Sequence, residues 1–120
     1  MNVPSPDCPF CLANNLLRVP ILAESENGFL VPAHSHPGNY LIIPRDHAES
    51  IADLPDDWMR DFKHLLAQIP DLDHFNISLN VGKSAGQTVK HLHFWIVPRT
   101  EDQLASGKGL ISLINHANEK

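Results

Sequence analysis

Late in the chain, His91, His93 and Trp95 occupy alternate positions of HLHFWIV, residues 91–97. An imidazole shuttles protons near pH 7, or attacks an electrophile such as phosphorus through its unprotonated nitrogen. Immediately upstream, Gly82-Lys83-Ser84-Ala85-Gly86-Gln87-Thr88-Val89 offers glycines for close backbone approach, together with amide and hydroxyl donors. That combination suits an anionic oxygen held beside the histidines. The plainer reading of an arbitrary His-x-His pair is two solvated polar residues on a sheet surface. The neighbouring loop favours the chemical reading.

The second chemically suggestive stretch is Cys8-Pro9-Phe10-Cys11, which holds the only two cysteines. A redox role would require a strand leading into it within a βαβ unit, and residues 1–7 are too short and proline-rich for that. Two readings stay open: a pair of reduced thiols packed like small apolar side chains, or half of a tetrahedral zinc site that needs two further ligands.

The elements that must position these residues are legible from periodicity. Side chains alternate along a strand, so Leu92, Phe94 and Ile96 face a core while His91, His93, Trp95 and Val97 lie on the outer face, at steps of roughly 7 Å between like-facing residues. Ile21–Glu24 and Phe29–Val31 flank Ser25-Glu26-Asn27-Gly28, a hairpin signal in which Asn-Gly supplies positive φ. Tyr40–Ile43 is a third strand, closed by Pro44. Leu54, Trp58, Phe62, Leu65, Leu66 and Ile69 recur at helical steps, which predicts a helix over 54–69, capped by Asp53 and stopped by Pro70. Phe75, Ile77, Leu79 and Val81 alternate with polar residues, as in a strand with one buried face. The sum is an α+β domain with a mainly antiparallel sheet. Residues 110–114, LISLI, read as a short C-terminal helix.

The chain of 120 residues suits a single domain over residues 1–120, and 42% hydrophobic against 19% charged residues reads as globular. Nine Lys plus Arg against 14 Asp plus Glu give a net charge of −5, with the cations scattered. That excludes a binder of duplex nucleic acid, which needs concentrated positive charge, but not a small phosphorylated ligand. No run is long enough to span a membrane, and the N-terminus lacks a secretory pattern. A cytoplasmic setting is the expectation.

In order, Pro37-Gly38, Leu41-Ile42-Ile43-Pro44-Arg45-Asp46-His47, Asn80-x-Gly82, Ala85-Gly86-Gln87-Thr88-Val89, His91-x-His93 and Pro98-Arg99 form a pattern that resembles the histidine triad (HIT) family of nucleotide hydrolases and transferases. The similarity covers roughly residues 8–99, and the ordered combination is far more specific than a bare His-x-His. The resemblance implies a fold of about five strands with one long helix. It also implies a purine nucleotide or nucleotide conjugate held by Asn80, Gly86, Gln87, Thr88, Val89, His91 and Trp95, and His93 as the nucleophile that forms a nucleotidyl-histidine intermediate. Cleavage would fall on a phosphoanhydride or phosphoramidate bond at the α-phosphate. A homodimer is implied too, as is a structural zinc held by Cys8, Cys11, His47 and His91.

Two positions depart from the family pattern. Trp95 stands where the third histidine would stand, giving an HxHxW variant, and an indole has one donor and no basic nitrogen. Val31 replaces an acidic residue that often holds ribose hydroxyls. Phe10, Phe29 and Pro32 match the walls of the family's base pocket, and equally suit a plain core. Three functions follow from the resemblance: a hydrolase, a nucleotidyltransferase, or a nucleotide-binding adaptor that has lost efficient turnover.

Overall fold

In the computed structural model, which describes residues 6–100, β1 (Ala23–Glu24), β2 (Gly28–Pro32) and β3 (Tyr40–Pro44) are followed by a helix, α1 (Trp58–Leu66), and by β4 (Phe75–Leu79) and β5 (Phe94–Pro98). The strands form one antiparallel sheet in the order β1-β2-β3-β5-β4. This is the α+β architecture expected. The C-terminal helix expected at residues 110–114 lies outside the described residues.

Alternation along the strands puts two different layers on the two faces of the sheet. On one face Leu30, Ile42, Leu92, Phe94 and Ile96 pack against Trp58, Phe62, Leu65 and Ile69 of α1 and its C-terminal extension. On the other, Phe29, Val31, Ala33, Leu41 and Ile43 are covered by Phe10, Leu12, Leu17 and Val19 of the N-terminal segment, with Trp95 beside them. The N-terminal segment is therefore a third layer, and it meets the face that carries the histidines.

Several local expectations are corrected. The helix begins at Trp58, not Leu54: residues Ile51–Asp53 form a separate 3-10 turn capped by Ser50, and Pro55 cannot donate the backbone hydrogen bond that a continuous helix would need. Asp53 is thus not the cap of α1. In the hairpin neither Asn27 nor Gly28 has positive φ. Gly28 is required for another reason, since a Cβ there would meet the Trp58 ring at 2.9 Å. Asn27 is held by Asp61, whose carboxylate accepts from its backbone N–H and from Nδ2, both at 3.0 Å. Ile77, expected inside, is 49% exposed because β4 is an edge strand.

The histidines themselves precede the strand. Pairing of β5 with β3 begins at Phe94, opposite Ile42, and residues 91–93 run beside the 44–48 turn, with the Leu92 N–H donating to the Ala48 carbonyl at 2.6 Å. The alternation of faces survives, but the outer face is not open: His91 is 0% and His93 6% exposed.

Candidate functional site

Two adjoining sites share the 91–95 segment. The first is a cluster of Cys8, Cys11, His47 and His91, whose four ligand atoms lie within 4.8 Å of one another. Cys8 Sγ is 3.4 Å and Cys11 Sγ 3.5 Å from His91 Nδ1, and Cys11 Sγ is 3.3 Å from His47 Nδ1. Bonds of about 2.3 Å to sulfur and about 2.0–2.1 Å to nitrogen in a tetrahedral zinc site put sulfur and nitrogen about 3.5 Å apart. The donor set and its spacing fit such an ion.

The outer nitrogens of both histidines are engaged as metal-binding imidazoles require. His91 Nε2 lies 2.6 Å from the Pro44 carbonyl, and His47 Nε2 lies 3.3 Å from a Glu49 carboxylate oxygen. Burial pulls the pKa of His91 down to about 4, which keeps Nδ1 an available lone pair. Burial pushes the Cys8 thiol up to about 11, so a thiolate there calls for a cation beside it. The four residues can hold a metal ion.

The second site is a cavity of about 530 Å³, lined on the sheet side by Leu41, His93 and Trp95 and on the other by Phe10, Leu17 and Val19 of the N-terminal segment. Its size is that of a small-ligand pocket. His93 Nδ1 donates to the His91 carbonyl at 2.8 Å, which fixes the tautomer and leaves Nε2 unprotonated. Burial lowers the pKa of His93, opposed by that hydrogen bond, so the neutral ring is favoured. Phe10, placed between the two thiols in sequence, sets its ring edge-on to His93 with centroids 5.0 Å apart.

The loop after β4 is braced internally. The Gly82 N–H donates to Gln87 Oε1 at 2.8 Å, and the Gln87 N–H returns to the Gly82 carbonyl at 3.2 Å. With Oε1 so engaged, the buried Gln87 Nε2 has no partner among the described residues. Asn80 Nδ2 reaches the Gly86 carbonyl at 3.4 Å, and Gly86 holds φ +97°, a conformation that side chains rarely adopt.

Of the residues singled out from sequence, the fold brings Phe10, Pro32, Thr88, Val89, His93 and Trp95 to the cavity. Asn80, Gly86 and Gln87 shape the loop that leads to Thr88 and Val89. His91 faces the thiols and not the cavity. Phe29 and Val31 are core residues under the N-terminal segment, because they sit deep on the middle of the sheet. Sequence reasoning missed Asp7, Arg18, His34 and Ser35, all of which line the cavity. They lie in a segment and a loop without periodicity, so nothing in their spacing marked them.

The HIT domain family matches residues 30–102. An uncharacterized HIT-like protein of Methanocaldococcus jannaschii is 34% identical over 103 residues, 78% of this chain and 80% of that one. An adenosine 5'-monophosphoramidase of Saccharomyces cerevisiae is 36% identical over 69 residues, 55% of this chain and 44% of the relative. A solved histidine triad protein from Clostridium difficile superposes with a TM-score of 0.63 at 26% identity, covering 88% of this chain and 100% of that one.

Proposed function

Because the chain belongs to the HIT domain family, whose match takes in more than half of it, we propose that it is a nucleotide hydrolase that cleaves a phosphoramidate or phosphoanhydride bond at the α-phosphate. The observation that carries this reading is the state of His93: a buried imidazole pinned through Nδ1 to the His91 carbonyl at 2.8 Å, on the wall of a cavity of about 530 Å³. His93 Nε2 attacks phosphorus, the bond to the leaving group breaks, and water later releases the nucleotide from the histidine. Splitting the displacement in two lowers the barrier of each step. The loop through Gln87 and Thr88 supplies donors for the phosphate oxygens, and Phe10, Leu17, Val19 and Pro32 form an apolar slot that takes a purine. The yeast relative is named for cleavage of an adenosine phosphoramidate, which makes that substrate class the first to try.

Zinc completes the reading as a structural ion on Cys8, Cys11, His47 and His91. It would tie the N-terminal segment to the 91–93 segment, and so hold Phe10 against His93. A homodimer is part of the proposal too, supported by β4 standing at the edge of the sheet among the described residues and by the exposed Ile77 and Val81, at 49% and 42%.

The test is turnover of purine nucleoside phosphoramidates and dinucleoside polyphosphates by wild type and His93→Ala. Turnover by wild type alone, with labelled nucleotide recovered on His93 after a rapid acid-free quench, supports the hydrolase. Nucleotide binding with no adduct and no turnover would leave a binding module instead.

A further inference from the structure

A displacement at phosphorus by His93 needs a proton for the departing atom, because an amine expelled as an anion leaves slowly. His93 is the nucleophile, and its Nδ1–H is committed to the His91 carbonyl. Trp95 offers one N–H and no basic nitrogen, Arg18 offers donors and no acceptor, and a carboxylate such as that of Asp7 only accepts. Thr88 brings a hydroxyl to the cavity as well, but the hydroxyl that stands beside an imidazole lies in the connection between β2 and β3.

There, Ser35 Oγ and His36 Nδ1 are 2.7 Å apart. The His36 ring stands edge-on against Trp95, with centroids 5.2 Å apart and planes at 88°, and Trp95 in turn is 6.3 Å from His93. Ser35 and His34 line the same cavity as His93 and Trp95. A hydroxyl thus borders the cavity that His93 lines, with an imidazole behind it and an indole supporting that imidazole.

We propose that Ser35 and His36 form a proton relay that serves the leaving group, with Trp95 as the platform that holds His36. The proposal rests on the hydrolase reading above. As His93 Nε2 forms its bond to phosphorus and the phosphorus–nitrogen bond breaks, the departing nitrogen takes the proton of Ser35 Oγ, and Ser35 takes the Nδ1 proton of His36. The amine leaves neutral and the His36 imidazolium becomes imidazole. In the second step water attacks phosphorus, its proton returns through Ser35 to His36, and His93 leaves with its Nε2 lone pair restored. Protons and charge balance over the cycle, and no further reactant is needed.

The experiment is a series of nucleoside 5'-phosphoramidates whose amines span a wide range of pKa, with log kcat/KM plotted against amine pKa. General acid assistance is worth about 10² to 10⁴ in rate. His36→Gln should therefore steepen the plot, with a loss of that order for alkyl amines that shrinks steadily toward activated aryl amines. Ser35→Ala should steepen it as well, and Ser35→Thr, which restores a hydroxyl, should return it toward the wild-type slope. These residues are exposed in a loop, and nucleotide affinity measured on each variant checks that the cavity is intact. Plots parallel to wild type for His36→Gln, or steepening in His34→Gln instead, would overturn the relay while the His93 adduct still formed. Loss of the adduct itself, with His93→Ala as active as wild type, would remove the hydrolase reading and the relay together.

Discussion

Free zinc should set the stability of this protein, with a slope that the geometry of the metal cluster dictates. Four ligand atoms within 4.8 Å of one another make one site for one ion. A ligand that binds only the folded chain adds RT ln(1 + [L]/Kd), so once the site is populated each tenfold rise in free zinc adds about 1.4 kcal/mol. For a domain of this size that is roughly 4–8 °C in Tm per decade. The assay is thermal unfolding in metal buffers that step free zinc from picomolar to micromolar, with zinc content measured on protein purified without chelator. Wild type should hold one zinc per chain and show that slope; Cys8→Ser and His47→Ala should each lose most of it and unfold at lower temperature throughout. Because Phe10 lies between the two thiols and packs on His93 at 5.0 Å, chelation should also weaken nucleotide binding, although the ion touches no nucleotide. A wild-type Tm indifferent to free zinc would refute the reasoning, as would a slope that the ligand variants preserve.

His93→Ala should abolish turnover while nucleotide affinity stays within about tenfold, since the proposed reading puts His93 in the chemical step and assigns much of the binding to the loop and slot; radiolabel trapped on any other residue would contradict the assignment. Gly28→Ala should cost about 1–3 kcal/mol by overpacking, since its Cβ would lie 2.9 Å from the Trp58 ring, and denaturant melts should show a lower midpoint with an unchanged slope. For Asp61, burial raises the pKa, but hydrogen bonds from Ser25 and Asn27 outweigh it and leave the carboxyl below its usual value. Its folded-state pKa is depressed, so its contribution is fully present above the unfolded value of about 3.9 and is lost as pH falls through the folded one. Wild type should therefore lose stability below about pH 4 more steeply than Asp61→Asn, and parallel melts of the two proteins across that range would contradict it.

The parts of the fold legible in the sequence were those governed by periodicity. Phe62, Leu65 and Ile69 announce the buried side of a helix, and Leu92, Phe94 and Ile96 announce the strand beside it, because burial on one face leaves a repeat of 3.6 or 2. Where tertiary contacts decide, the sequence was silent. Gly28 looked like a turn glycine, yet the Trp58 ring above it is what excludes a side chain. Pro55 was compatible with a first helical turn, yet the chain divides there into a 3-10 turn and α1. The candidate site was half legible. His91, His93 and the glycine loop sit close in sequence and form an ordered pattern, whereas Asp7, Arg18 and the 34–36 loop reach the cavity only because an aperiodic N-terminal segment folds across the sheet.

That segment gives the molecule a modular construction. The family match begins at Leu30, whereas the cavity wall built from Phe10, Leu17, Arg18 and Val19 precedes it. The 91–93 segment that carries the histidines and the cavity wall opposite it are thus separate stretches of chain, brought together in space at Cys8, Cys11, His47 and His91. Grafting a different stretch onto residues 6–20, with both cysteines kept in register, should redraw ligand preference while leaving His93 and its hydrogen bond untouched. On the proposed reading specificity is an exchangeable part, and the four-residue cluster, once it holds a metal, is the fastener that lets it be exchanged.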